Sequence, residues 1–274
     1  MLKKILKISS VAAAALFVYL VCLYAVQDYL IFYPDKFYVG PAGAGTPEFE
    51  EMPLTTADGH LVMAWYAKGD PDKPAILFFH GNAGQVATFA PHLRAYIEAG
   101  YPVLMPEYRG FAHSGGKLTE DTMYADAVVA FDYLKHRLGH DKVVVFGYSM
   151  GTAPASALAG MREPNAVILA APFRSLYREV VDKPVPLARL VLTNHLESDK
   201  YIVRYDGPLL IIHGLDDKLI LPRHGKELFA LSPSEDKELR LVEGVDHNRL
   251  FFDDANHQIM LDWLARRYTE PAGK

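Results

Sequence analysis

The chain of 274 residues contains a single cysteine, Cys22, so no disulfide can form within it and cysteine usage says nothing about redox compartment. It also lacks an excess of positive charge. Lys and Arg number 28 against 33 Asp and Glu, a formal net charge of −5 with a pI of 6.1. Without a basic patch or tract, nucleic acid is set aside as a partner. No internal repeat and no low-complexity tract is present, which excludes a repeat array. Charge is missing altogether from Ile8 to Val26, directly after Lys3, Lys4 and Lys7.

That uncharged run spans roughly 28 Å as a helix, close to a bilayer's hydrocarbon thickness. Tyr24, Tyr29, Phe32 and Tyr33 cluster past its end, as interfacial aromatics do. A cleaved signal peptide would want small residues at a cleavage site, but Leu23 and Tyr24 precede Ala25. Tyr19-Leu20-Val21 before Cys22 is no lipoprotein cleavage box either. The favoured expectation is an uncleaved signal anchor over residues 1–33, ahead of a cleaved signal or a buried or interfacial helix. The lysines would stay cytoplasmic and the rest would lie on the other side, periplasmic in a Gram-negative cell.

A Gly/Pro/Ala-rich linker over 34–47 separates the anchor from a domain over 48–274. Phe49–Thr55 and Leu61–Ala67 flank Asp58-Gly59, a hairpin signal. Uninterrupted apolar runs follow at Ala75–Phe79, Pro102–Met105, Lys142–Phe146, Ala166–Ala170, Pro208–Ile212 and Glu238–Val242, as suits strands buried on both faces of a parallel sheet. Helical patterns lie between them at Thr88–Ala99, Thr122–Leu138, Ala153–Ala159 and His257–Tyr268. The alternation predicts an α/β fold with helices on both faces. Residues 172–206 interrupt it with Pro172, Pro184 and Pro186 and a helical-looking stretch, Leu187–Leu196. They read as a lid over the strand ends.

In such sheets ligands bind beyond the carboxyl ends of the strands. GYSMG, residues 147–151, lies between a strand and a helix, the context of a G-x-S-x-G nucleophile elbow. Ser149 is expected in a strained backbone conformation, with glycines at 147 and 151 because side chains there would collide with neighbouring elements. Its hydroxyl needs a base on another loop. His247 follows the last strand; His257 is the runner-up but falls in a helix. His80 and His213 precede glycines at strand ends and read as structural. A carboxylate must orient the histidine, and HGLDDKLI offers Asp216 and Asp217. Asp246 adjoins His247 but reads as a solvated loop acid. Two backbone N–H groups should meet an oxyanion: that of Met150, and that of Asn82, with Ala83 as the alternative.

FYPDKF, FFHGNAG, EYRGFAHSGG, FGYSMGTAPA, APFRSLY, LLIIHGLDDKLI and VEGVDHN together resemble the α/β-hydrolase superfamily, in particular the membrane-anchored Bem46-like group with its ABHD12, ABHD13 and ABHD17 relatives. The resemblance implies an α/β-hydrolase fold with a mostly parallel sheet of about eight strands. It places the acid on Asp217, through an H-G-x-x-D pattern, and the histidine on His247, through G-x-x-H-N. It implies serine hydrolysis of a small-molecule carboxylic ester, thioester or lipid substrate, with no metal or cofactor, ahead of two alternatives: a serine peptidase or amidase of the same fold, and a non-catalytic binding protein that keeps the fold. The sequence departs from the family in having Glu107 for an aspartate before Tyr108-Arg109-Gly110. The proline after the acid is displaced to Pro222, which could shift the loop that holds Asp217.

Overall fold

The structure is a computed structural model that describes residues 2–183 and 185–268. Pro184 and residues 269–274, the end of the expected domain, lie outside the described residues, as does the side chain of Lys3. Eight strands form one sheet: β2 (Glu50–Thr55), β3 (Leu61–Ala67), β4 (Ala75–Phe79), β6 (Val103–Pro106), β7 (Val143–Tyr148), β8 (Ala166–Ala170), β9 (Leu209–Gly214) and β10 (Lys237–Val242). Their spatial order is β10-β9-β8-β7-β4-β6-β3-β2. β3 pairs antiparallel with β2 and β6, and the other pairings are parallel.

The apolar runs of β4, β6, β7, β8 and β9 are buried because both faces of the sheet are covered there, whereas Glu238–Val242, in the edge strand β10, is only half-buried and keeps Arg240 exposed. Along β7, Val143 and Val145 pack into one layer while Val144 and Phe146 pack into the other. This is the period-2 alternation of a strand with hydrophobic partners on each side. Helices α4 (Glu120–His136) and α5 (Thr152–Arg162) cover the first face. Helix α10 (Asp254–Tyr268) covers the second with Met260, Trp263 and Leu264.

Several expected boundaries move. Thr88–Ala99 is not one helix. Pro91 cannot donate within a helix, so the segment divides into α2 (Val86–Phe89), a 3₁₀ turn (Ala90–Leu93) and α3 (Arg94–Glu98). α5 runs through Gly160, which seats against the Tyr201 backbone. Leu187–Leu196 is not helical beyond a 3₁₀ turn at Ala188–Leu190. The inserted segment instead holds α6 (Leu176–Asp182) and α7 (Ser198–Ile202). α8 (Arg223–Leu231) follows β9, and a further short helix, α9 (His247–Phe252), precedes α10.

Helix α1 (Leu2–Ile31) is 30 residues long. Residues 7–19 of it are exposed, Phe17 and Val18 among them, and its last turns dock on the body. Tyr19 Oη donates to Pro186 O at 2.9 Å. Gln27 Nε2 donates to Val191 O at 3.0 Å, and its Oε1 accepts from Thr193 N at 2.8 Å. Asp28 accepts from Asn194 Nδ2 at 3.1 Å and pairs with Lys117 at 2.6 Å. The linker that follows is fastened to the body as well. Strand β1 (Tyr33–Pro34) pairs in parallel with β5 (Ala83–Gly84), and Thr46 is buried.

Candidate active site

β7 carries Ser149 to the carboxyl rim of the sheet and α5 leads away from it. Ser149 has φ 53°, in the left-handed region that side-chain-bearing residues rarely occupy. The flanking glycines hold that turn. A Cβ at Gly147 would lie 2.7 Å from the Gly151 carbonyl carbon and 2.8 Å from Ala155 Cβ. A Cβ at Gly151 would lie 2.7 Å from His80 O and would also strike the Phe79 carbonyl. The elbow therefore requires glycine on both sides so that β4, β7 and α5 can approach this closely.

His247, at the first turn of α9, places Nε2 2.9 Å from Ser149 Oγ. Its Nδ1 lies 2.7 Å from Asp217 Oδ2. All three side chains are buried, at 7%, 8% and 2% exposure for Ser149, His247 and Asp217. The other carboxylate oxygen, Asp217 Oδ1, accepts from Leu219 N at 2.9 Å and Ile220 N at 2.8 Å. Burial alone would push the Asp217 carboxyl up. Hydrogen bonds from His213 and His247, the charge on His247 and the Ile220 N–H outweigh it and hold the carboxyl well below the usual carboxylate range. The displaced proline does not carry this loop away, because the carboxylate holds the backbone of the second and third residues after it.

The alternatives fall elsewhere. Asp216 is exposed, and its N–H donates to Val245 O at 3.0 Å, which ties the acid loop to the histidine loop. Asp246 is not a merely solvated acid: it caps α9 by accepting from Arg249 N at 2.9 Å. His257 is buried in α10 between Tyr96 Oη and Phe251 O, and burial pushes its ring down to about 4. His213 bonds the Ile220 carbonyl at 2.9 Å and stands 3.4 Å from Asp217 Oδ2. His80 sits between Gly81 O and Glu107 Oε1, while Glu107 Oε2 accepts from Val86 N. The glutamate in place of an aspartate thus fastens the loop 80–86 from below.

Gly81, Asn82 and Ala83 line one cavity with Ser149 and His247. A Cβ at Gly81 would lie 3.6 Å from Ser149 Cβ, so this backbone passes directly over the serine. The Asn82 side chain is engaged on α1, donating to Ile31 O and accepting from Tyr33 N at 3.3 Å. Only its backbone is therefore available to a reacting group.

The cavity measures about 640 Å³. Its lining is apolar, from the lid residues Leu176, Val180, Val185, Val191 and Leu192, from Phe89 and Phe252, and from Leu23, Leu30 and Ile31 of α1. Size and lining suit a small-molecule site. Glu179, also on its wall, approaches His224 and Asp182. His224 Nδ1 accepts from Arg174 N at 3.2 Å, so the proton of the neutral ring is on Nε2, 2.9 Å from Asp182 Oδ2. The ring is thereby committed to pinning the lid helix α6 onto α8 and has no lone pair free for a metal.

Residue patterns did not reveal two contributors. Tyr148 Oη donates to the His247 backbone O at 3.1 Å and so supports the base from the neighbouring position in the elbow. The α1 wall was hidden because an apolar run of this length reads as lipid-facing. Gln27-Asp28, the first polar pair after the run, was the signal available.

A family profile for the α/β-hydrolase fold matches residues 74–190. The Mycobacterium tuberculosis protein Rv2307c is 32% identical over 256 residues, covering 91% of this chain and 90% of that protein. Human ABHD12B is 28% identical over 235 residues, covering 75% of this chain and 64% of its own. Among solved structures, the Pyrococcus furiosus esterase Pf2001 superposes with a TM-score of 0.69 at 20% identity, covering 86% and 99% of the two chains. A membrane phospholipase A superposes with a TM-score of 0.63 at 14% identity over 97% of this chain and 98% of that one. The sheet order, the elbow and these likenesses together establish that the chain belongs to the α/β-hydrolase superfamily.

Proposed function

We propose that this hydrolase is a serine esterase or thioesterase for acyl-chain substrates, anchored in a membrane by α1 and close to the Bem46-like group with its ABHD12, ABHD13 and ABHD17 relatives. One observation carries the reading: Ser149 Oγ, His247 and Asp217 stand in a hydrogen-bonded row at 2.9 and 2.7 Å at one end of an apolar cavity.

Ser149 Oγ attacks the substrate carbonyl while His247 Nε2 takes its proton. Asp217 keeps the ring proton on Nδ1 and stabilises the imidazolium that forms. The oxyanion meets the N–H groups of Asn82 and Met150, and the dipole at the start of α5 favours the same charge. Collapse expels the alcohol or thiol, which leaves with the proton from His247. Water, deprotonated by His247, then releases the acyl group from Ser149. The apolar walls favour an acyl chain over a charged substrate, because a desolvated charge there would find few partners.

A fluorophosphonate probe applied to the full-length protein tests the nucleophile: wild type is labelled and Ser149→Ala is not. Labelling that persists in Ser149→Ala refutes the assignment. A p-nitrophenyl ester series from two to sixteen carbons, with a matched amide, tests the substrate class. Faster turnover of the amide would make the protein a peptidase or amidase instead.

A further inference from the structure

The contacts along α1 change character with depth. At Gln27 and Asp28, the first polar residues after the apolar run, the helix meets Thr193, Asn194 and Lys117. Further toward its N-terminus the contact is with the lid tip, through Tyr19 and the Pro186 carbonyl. Tyr19 precedes Asp28 by nine residues, roughly 13 Å of helix at 1.5 Å per residue. Even at a tilt of about 40° that is roughly 10 Å along the bilayer normal. With Gln27 and Asp28 at the headgroup level, Pro186 lies well inside a leaflet whose hydrocarbon half is about 15 Å deep.

The surface of the tip fits that depth. Leu190 is 63% exposed and Leu187 39% exposed, with Val181 and Val185 beside them in sequence and also open. Side chains of this kind, clustered next to a membrane-crossing helix, present an apolar patch continuous with it. Arg189 shares the turn, and its stem is long enough for the guanidinium to snorkel to headgroup phosphates. Behind the tip lies the cavity, walled by Val185, Ala188 and Val191 on the lid side and by Leu23 and Leu30 on the helix side.

We propose that the lid tip, residues 185–190, is seated among the acyl chains of the leaflet from which α1 emerges, and that the cavity takes its acyl chain sideways from that leaflet. The substrate is then an acyl ester of a bilayer lipid, presented to Ser149 without crossing water. The inference rests on the anchored-hydrolase reading above and narrows its substrate class.

The test uses the full-length protein in phosphatidylcholine vesicles. Leu190→Trp is read against lipid brominated at mid-chain, with Leu231→Trp, at the end of α8 beside the start of β10, as the water-facing control. The native tryptophans, Trp65 and Trp263, are 4% and 0% exposed and contribute a shielded background. Emission from Leu190→Trp should fall at least twofold, while that from Leu231→Trp stays constant. Separately, Leu187→Asp/Leu190→Asp, which leaves every cavity-lining residue in place, should lose at least tenfold in hydrolysis of vesicle lipid and stay within twofold on soluble p-nitrophenyl butyrate.

Protein that floats with the vesicles and labels at Ser149, yet leaves Leu190→Trp unquenched, overturns the seating and leaves the hydrolase reading intact. The same unquenched signal together with a cross-linked dimer would place a second copy on the tip, and also overturns it. Failure to float removes the anchor and the seating together. Failure of wild type to label overturns the hydrolase reading alone, and quenching still decides the position of the lid.

Discussion

Asp217→Asn probes the proposed mechanism most sharply, because the surroundings dictate how an asparagine must sit. Asp217 Oδ1 is held by two donors, the Leu219 and Ile220 N–H groups, at 2.9 and 2.8 Å. An amide oxygen can replace it there, but an amide NH₂ cannot. The NH₂ is then forced to the Oδ2 position, 2.7 Å from His247 Nδ1. His247 must accept at Nδ1 and carry its proton on Nε2, facing Ser149 Oγ, where it can no longer act as a base. Turning the amide over would restore the tautomer but leave a buried donor, Ile220 N, and a part-buried one, Leu219 N, facing an NH₂, at up to about 1–3 kcal/mol each. Adding the lost stabilisation of the imidazolium, the barrier rises by about 4–6 kcal/mol, or roughly 10³–10⁴ in kcat. The assay is hydrolysis of p-nitrophenyl butyrate by the full-length protein, with thermal unfolding as the check on folding. Asp216→Asn should stay within about twofold of wild type, because that side chain faces solvent. A folded Asp217→Asn within tenfold of wild type, or an equal loss from Asp216→Asn, would refute the reasoning.

His257 is held down to about 4 by burial, against about 6.5 when unfolded, so between those values the unfolded chain binds the extra proton. Its contribution to stability is full above pH 6.5 and is lost as pH falls toward 4, on the order of 3 kcal/mol; urea midpoints at pH 7.5 and 4.5 should show the drop, and His257→Gln should reduce it. Arg109 is buried and forks onto both Asp58 and Asp126 at 2.7–2.8 Å, so Arg109→Met, which strands Asp126, should cost about 2–4 kcal/mol by urea titration. Gly151→Ala drives a methyl into the β4 backbone and should abolish soluble folded protein; normal circular dichroism and melting would contradict the packing described. Leu23→Trp fills the helix side of the cavity and should lower kcat/KM for a sixteen-carbon ester at least tenfold relative to a four-carbon one. An unchanged ratio would mean that α1 does not bound the acyl site.

The central strands were legible because their side chains are buried on both faces, and residues such as AILFF and AVILA have no other comfortable place. The elbow was legible for a related reason. Glycine at 147 and 151 and a serine at positive φ are local requirements, and local requirements leave local marks. Helix boundaries near Pro91 and in the lid were less so, because the lid's short helices are held by distant partners such as His224 rather than by their own periodicity.

Ser149, Asp217 and His247 are identifiable in the chain because strand ends of a parallel sheet share one rim, so residues far apart in sequence must meet there. Which of the neighbours Asp216 and Asp217 reaches His247 depends on the fold: the Asp217 side chain turns inward and accepts the Leu219 and Ile220 amides. The docking of α1 on the lid, and with it one wall of the cavity, was decided by tertiary structure, with Gln27-Asp28 the one mark of it in the sequence. An apolar helix surface carries no mark of whether lipid or protein will cover it, since both offer the same hydrocarbon contact.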